Sequence, residues 1–148
     1  MPEPNLLAAI DLGSNSFRLL IAQTDGESQP VRFKPLDTIK RSVRLAAGLG
    51  SDRRLDAPAQ QRGLDALGAF SARIRAFSPD MVRAVATSTL RMASNAADFL
   101  ADAEATLGFP IEVISGQEEA RLIYVGVANH LPEQPQARLV IDIGGGST

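Results

Sequence analysis

Two stretches near opposite ends of the chain share one pattern, which restricts the possible folds more than any other feature of the sequence. Residues 11–16 (DLGSNS) and residues 142–148 (DIGGGST) each follow a largely apolar run. In both, an Asp, an aliphatic residue and a glycine end a predicted strand, and small polar residues come next. Such residues let backbone N–H groups approach a ligand, and successive N–H groups in a turn form an anion-binding concavity. The two stretches therefore predict a pair of phosphate-holding turns that face each other.

An ordinary tight turn is an equal interpretation of the first stretch, because Asp-x-Gly often ends a strand. The second stretch favours a ligand site, since turning the chain needs one glycine and each further glycine costs about 1 kcal/mol in a regular element. Asp11 and Asp142 would repel a phosphate directly. We therefore interpret them as holding Mg²⁺ or a water that bridges to the phosphate.

Composition excludes several classes of function. The 148 residues include no Cys and one His, His130, which excludes disulfides, thiolate zinc sites, Cys nucleophiles and multi-histidine metal sites. The formal net charge of −2 argues against a nucleic-acid partner, which needs a basic excess. No apolar run approaches the ~18 residues of a membrane span. With 45% apolar residues the chain can bury a core, and we expect a cytoplasmic protein.

The hydrophobic pattern predicts three strands, followed by helices and strands in alternation. Six strands are expected, over residues 6–10, 17–22, 31–45, 82–86, 111–114 and 138–143. The first is expected to be buried on both faces and to form a hairpin with the second. An opening meander followed by βαβ units implies an α/β fold with a mixed sheet and flanking helices.

Three helices are expected, and each has a recognisable start. Asp56 caps the first, whose apolar positions recur every three or four residues until Ser78-Pro79 ends it. Asn95, with Asp98, resembles a cap for the second, which stops at Gly108. The third begins at Ser115 and runs to about residue 131. Between strand and helix, residues 87–89 (TST) are expected to form a polar turn.

The start of the third helix carries a candidate catalytic carboxylate. Ser115 and Glu118 have the spacing of a capping box, so a structural role accounts for Glu118. Glu119 lies at the flank of the apolar stripe formed by Ala120, Ile123, Tyr124 and Val127, which is expected to be buried. A carboxylate there can be aimed into a cleft as a general base toward water, although a solvated flank position is an equal interpretation.

Several basic residues have two interpretations. Arg91 follows a strand end, where ligands usually bind, and suits bidentate phosphate contact, but a surface arginine is about as good an interpretation. Lys40, Arg41 and Arg44 can line an anionic path, but the sequence favours a solvated strand face for them. His130 is interpreted as a bystander.

Four motifs, taken in order, resemble the signature of the exopolyphosphatase / guanosine pentaphosphate phosphohydrolase (Ppx/GppA) family. They are AIDLGSNSF at residues 9–17, TSTLR at 87–91, ISGQEEARLIY at 114–124 and VIDIGGGST at 140–148. The resemblance covers essentially the whole chain. It implies an actin-like ATPase (ribonuclease H-like) lobe with a five-stranded sheet, and two such lobes around a cleft. It also implies Mg²⁺-dependent removal of the terminal phosphate of polyphosphate, or of the 5′-phosphate of pppGpp, and thus a link to the stringent response.

The family motifs suggest a role for each matching residue. Glu119 would position or deprotonate water, and Asp11 and Asp142 would organise the metal. Phosphate would be held from this lobe by Gly13, Ser14, Asn15 and Arg91, and from the other lobe by Gly144, Gly145, Gly146, Ser147 and Thr148. Phosphoryl transfer depends mainly on positioning and charge stabilisation, so no covalent nucleophile is required.

The resemblance also implies a division of the chain. Residues 1–137 would form an N-terminal lobe, and residues 138–148 would form the first strand and phosphate turn of a second lobe. We expect the 148-residue chain alone to bind phosphate poorly and to hydrolyse little. Its residues 138–143 are expected to be disordered or paired with another molecule. The full-length form is expected to be a homodimer. An actin-like kinase or ATPase lobe, or a silent phosphate- or nucleotide-binding regulator, are the alternatives.

Overall fold

The computed structural model describes residues 5–26, 31–133 and 135–148. Its strands are β1 (Asn5–Leu12), β2 (Ser16–Thr24), β3 (Phe33–Ser42), β4 (Val82–Ala86) and β5 (Ile111–Val113). Its helices are α1 (Ala57–Ile74), α2 (Ser88–Met92), α3 (Ala96–Leu107) and α4 (Gly116–Ala128). Single 3₁₀ turns occupy Ala46–Gly48 and Pro79–Met81.

The five strands form one mixed sheet in the order β3-β2-β1-β4-β5. β1 pairs antiparallel with β2, and β2 with β3, whereas β4 lies parallel to both β1 and β5. This arrangement confirms the predicted α/β class and the mixed five-stranded sheet with flanking helices. The C-terminal ends of β1, β4 and β5 lie at one edge, where binding sites form in parallel α/β sheets.

The core lies on one face of the sheet, beneath α1 and α3. Alternate residues of β1 and β2 point into it because side chains alternate along a strand, and they meet the apolar stripes of the two helices. Leu67, Phe70 and Ile74 of the predicted α1 stripe are fully buried. Asp56 caps α1 as expected, since its Oδ1 accepts a hydrogen bond from the Ala59 N–H at 2.7 Å.

The expectation that β1 is buried on both faces is wrong. Ala8, Ile10 and Leu12 are buried, but Ala9 and Asp11 on the opposite face are exposed. The apolar run suggested two covered faces, but α1 and α3 both pack on the same one. The exposed face of β1 leaves Asp11 accessible at the edge of the sheet.

Several boundaries and caps also differ from the predictions. β3 ends at Ser42, because Val43 and Leu45 turn into the core and are completely buried. The expected polar turn at residues 87–89 is instead the start of α2. Asn95 does not cap α3 with its side chain. Its Oδ1 instead accepts from the Leu55 N–H at 2.8 Å, and its Nδ2 donates to the Leu55 carbonyl at 3.1 Å.

The last two predicted elements change most. α4 is capped by Ser115 as expected, but it ends at Ala128 and has no buried residue, so the stripe at residues 120–127 is not buried. Tyr124 is 45% exposed. Residues 138–143 form no strand, and Leu139, Ile141 and Ile143 are exposed. A strand needs a neighbour for its backbone groups, and the described residues of the sheet offer none to this segment.

Candidate active site

The two glycine-containing turns close in the same way. In the first, the Gly13 N–H donates to the Ser16 carbonyl at 3.2 Å. In the second, the Gly144 N–H donates to the Ser147 carbonyl at 2.9 Å. A Cβ atom at either glycine would crowd that carbonyl, at 2.8 Å from Ser16 O and 3.2 Å from Ser147 O. The likeness in sequence is therefore a likeness in backbone structure.

The two turns are also in contact with each other. A Cβ atom at Gly145 would lie 2.7 Å from the Asn15 Cβ, and one at Gly146 would lie 2.5 Å from the Ser14 Oγ. Any residue larger than glycine would therefore push the second turn away from the first. This close approach explains why the second turn contains three glycines where one is enough to reverse the chain.

A cleft of about 360 Å³ lies between the turns and brings most of the predicted site residues together. From the prediction it contains Asp11, Gly13, Ser14, Asn15, Glu119, Asp142, Gly144, Gly145, Gly146 and Ser147. Glu119 thus lies on the same side of the sheet as the first turn. Arg91 and Thr148 instead line a neighbouring groove of about 590 Å³, which shares Glu119, Asp142 and Ser147 with the cleft.

Arg91 reaches the site through Glu119. Its Nη1 donates to Glu119 Oε2 at 2.9 Å and to the Ile114 carbonyl at 2.8 Å. The two side chains are 24% and 20% exposed, so the pair is largely shielded from water. The interaction fixes the direction of the carboxylate at the first turn of α4. Arg91 therefore contacts the candidate base, and its role as a phosphate ligand stays a prediction.

Neighbouring glutamates of α4 have different surroundings. Glu118 does not complete the capping box, because its carboxylate accepts two hydrogen bonds from Arg121, each at 2.8 Å. This exposed pair lowers the pKa of Glu118, chiefly through those bonds. Glu119, one residue later, points into the cleft.

The carboxylates of Asp11, Glu119 and Asp142 all line the cleft. Burial within the concave surface raises the pKa of Asp11 above its usual 3.8, although part of the residue remains exposed to solvent. The negative charge of Glu119 raises it further, Arg18 opposes the shift, and Asp142 adds to it. Like charges brought together at a site of hard oxygen ligands are typical of a place where a cation binds.

The donor set fits Mg²⁺ held jointly by protein and substrate. Among residues 5–26, 31–133 and 135–148, no three acidic or histidine side chains are arranged to enclose a metal. Mg²⁺ usually keeps several waters and binds through one or two carboxylates together with substrate phosphates. Asp11 and Asp142 meet that requirement in number and kind.

The sequence interpretation missed part of the cationic wall of the cleft. Arg18 and Lys40 line the cleft, together with Ser16 and Thr87. In the sheet register Asp11 of β1 lies opposite Arg18 of β2, and Arg18 lies opposite Lys40 of β3. All three side chains therefore project from the same face of the sheet. Side chains alternate along β2, with Phe17 buried and Arg18 exposed, and this alternation could have placed Arg18 on the face of the cleft. Lys40 is exposed, as the favoured solvated interpretation expects, and it lines the cleft, whereas its neighbour Arg41 projects from the other face of the strand.

A model of the Ppx/GppA phosphatase family matches residues 20–148. The chain belongs to the Ppx/GppA phosphatase family. The resemblance expected from the four motifs is thereby confirmed.

Solved structures of Ppx/GppA proteins share the fold. An Aquifex aeolicus PPX-GPPA enzyme is 33% identical with a TM-score of 0.77, over 89% of this chain and 43% of that one. An exopolyphosphatase-like protein is 36% identical with a TM-score of 0.71, over 81% and 36%. An exopolyphosphatase from Cytophaga hutchinsonii is 30% identical with a TM-score of 0.75, over 84% and 38%. The chain therefore spans about two fifths of the length of these relatives.

The described residues also bear on the membrane expectation. None of their helices combines the length and the apolar content that crossing a bilayer requires.

Proposed function

We propose that this Ppx/GppA chain supplies one wall of a phosphohydrolase active site. The site would remove the terminal phosphate of inorganic polyphosphate, or the 5′-phosphate of pppGpp, with Mg²⁺. The observation that carries the proposal is that Glu119 faces the same cleft as both glycine-containing turns. Relatives described as exopolyphosphatases support the choice of substrate class.

The phosphate would bind between the two turns. Their backbone N–H groups and the hydroxyls of Ser14 and Ser147 are donors that suit phosphate oxygens. Lys40 and Arg18 extend the same cleft with positive charge, which favours a substrate that carries several adjacent phosphates.

Glu119 would act on the attacking water. Arg91 holds its Oε2, and Oε1 makes no hydrogen bond within the described part of the chain. Oε1 is thus the atom that would accept a proton from a water directed at the phosphorus. No covalent intermediate on the protein is required, because phosphoryl transfer is achieved largely by positioning and charge stabilisation.

Asp11 and Asp142 would hold the metal ion beside the turns. Mg²⁺ bound there would supply charge neutralisation to the transferred phosphate. Burial, and after it the nearby negative charges, raises the pKa of Asp11, so a cation held there would favour its ionised form.

The test is phosphate release by a full-length protein that carries these residues. Polyphosphate, pppGpp and ATP are compared side by side, with Mg²⁺ and with EDTA. Release from polyphosphate or pppGpp that requires Mg²⁺ supports the proposal. Turnover of ATP alone favours a kinase or ATPase lobe. Binding without turnover, unchanged by Glu119→Ala, favours a silent regulator.

A further inference from the structure

A group of buried hydroxyls lies beneath the point where the two turns meet. Ser14, Ser88 and Thr89 are 7%, 7% and 2% exposed. Ser88 and Thr89 are consecutive at the start of α2, a helix of five residues. Burying three hydroxyls costs free energy unless each finds a partner, so the partners they choose are informative.

The two α2 hydroxyls bind different turns. Thr89 Oγ1 donates to Ser14 Oγ at 2.7 Å, in the first turn. Ser88 Oγ donates to the Gly146 carbonyl at 3.2 Å, in the second turn. The Gly146 backbone rests directly on the Ser14 side chain. One helical start therefore contacts both turns at the place where they approach each other.

The bond from Thr89 also determines how Ser14 can serve a ligand. A hydroxyl has one proton to donate and two lone pairs to accept with. The bond fixes the position of the Ser14 hydroxyl at the wall of the cleft, where it can contact an oxygen of a ligand. Thr89 contacts no ligand in this arrangement and acts through Ser14.

From these contacts we infer that Ser88 and Thr89 are positioning residues that hold the two phosphate turns in register. Thr89 fixes the position of the Ser14 hydroxyl, and Ser88 ties the second turn to the start of α2. The effect on substrate rests on the proposed function, whereas the effect on the turns does not.

The ligand-free arm of the test measures amide exchange with water by NMR in the chain itself. The Gly144 N–H closes the second turn and the Gly13 N–H closes the first, so each reports on one turn. Ser88→Ala is expected to speed exchange at Gly144 about 3- to 10-fold, which corresponds to one lost hydrogen bond, and to leave Gly13 unchanged. The matched control is Ser94→Ala, which removes an equivalent 3.2 Å bond to the Arg53 carbonyl away from the cleft.

The ligand arm measures tripolyphosphate affinity by calorimetry in the presence of Mg²⁺, with KM and kcat in the full-length protein. Thr89→Val is expected to weaken affinity about 3- to 10-fold, and Thr89→Ser to restore it. Thr106→Val is the control, because it removes a helix-surface hydroxyl bound to the Asp102 carbonyl. Should Thr89→Val fold poorly in a thermal melt, Thr89→Ala takes its place.

The outcomes separate this inference from the proposed function. Either variant behaving like its control in a folded protein overturns the inference, even where the wild type hydrolyses polyphosphate. A wild type that neither binds nor hydrolyses phosphate chains overturns the proposed function. In that case the exchange arm alone decides the inference: faster exchange at Gly144 in Ser88→Ala supports it.

Discussion

The turn at residues 13–16 and the turn at residues 144–147 close with the same hydrogen bond but differ in how they are supported. The first joins two paired strands, and its carbonyls at Ser14 and Asn15 accept N–H groups from residues 43, 44 and 46. The second lies on an exposed segment without a strand and is tied by Ser88. A short motif thus determines how a turn closes, whereas distant partners determine how firmly it is held.

The largest expected effect is a loss of kcat without a loss of phosphate binding by the two turns. Glu119→Gln is expected to lower kcat about 10²- to 10⁴-fold, because general-base catalysis contributes that much. Phosphate affinity should change little, since both turns remain intact. Steady-state phosphate release and calorimetry measure the two quantities.

The neighbouring glutamate is the matched control for that variant. Glu118→Gln removes a carboxylate one residue away that binds Arg121 on the surface. Its kcat should remain within about twofold of wild type, as is usual for exposed ion pairs. Equal losses in the two variants would assign the effect to the helix rather than to the cleft.

A second prediction concerns the ion pair that orients Glu119. Arg91→Lys keeps the charge but replaces the planar guanidinium, whose Nη1 donates to both Glu119 and the Ile114 carbonyl. We expect a drop in kcat of about tenfold with a smaller change in KM. If KM rises and kcat stays constant, Arg91 binds phosphate directly, as the family motif implies.

The third prediction compares the two turns directly by their stability. Gly13→Ala should destabilise the fold by about 1–3 kcal/mol, because its Cβ would lie 2.8 Å from a carbonyl in an anchored turn. Gly144→Ala should cost less than about 0.5 kcal/mol, because the exposed turn can adjust. Chemical denaturation measures both, and equal costs would show that the turns are equally well supported.

The smallest expected effect comes from the charge cluster. The folded chain holds the Asp11 proton more tightly than the unfolded chain, because the pKa of Asp11 is raised above 3.8. Stability therefore falls as pH rises from 3.8 through the folded value, and the loss is complete at neutral pH.

Asp11→Asn removes that loss. It should stabilise the fold by a few tenths of a kcal/mol at pH 7, discounted for solvent screening, while lowering Mg²⁺-dependent activity. Below pH 3.8 the gain should vanish, because Asp11 is then protonated in both states. Thermal melts at about pH 2.5 and pH 7 measure the difference, and a gain that persists at the lower pH would assign it to packing.

The helices were largely predictable because their ends carry local sequence signals. Asp56 and Ser115 cap their helices as their side-chain chemistry dictates, and Gly108 ends α3 with a left-handed φ of 86°. The spacing of apolar residues in α1 identifies its buried face, because a helix that packs on one face of a sheet buries a single stripe.

Two of the failures share one physical cause, which is that periodicity reveals an apolar surface but not what covers it. The apolar stripe of α4 was expected to be buried and residues 138–143 were expected to form a strand, yet Tyr124 and Ile141 are exposed and residues 138–143 form no strand. Asn95 has cap-like spacing, but the distant Leu55 backbone claims its side chain. At the site, the position of Arg18 beside Lys40 on the wall of the cleft depends on strand register, which a single sequence does not determine.

The central claim is that both turns hold the same phosphate while Glu119 faces it. Titration of ¹⁵N-labelled protein with tripolyphosphate and Mg²⁺, followed by NMR, tests this claim directly. The account predicts that amides of residues 13–16 and 144–147 shift together with one affinity, accompanied by Glu119. Shifts confined to one turn, or two turns titrating with separate affinities, would contradict it.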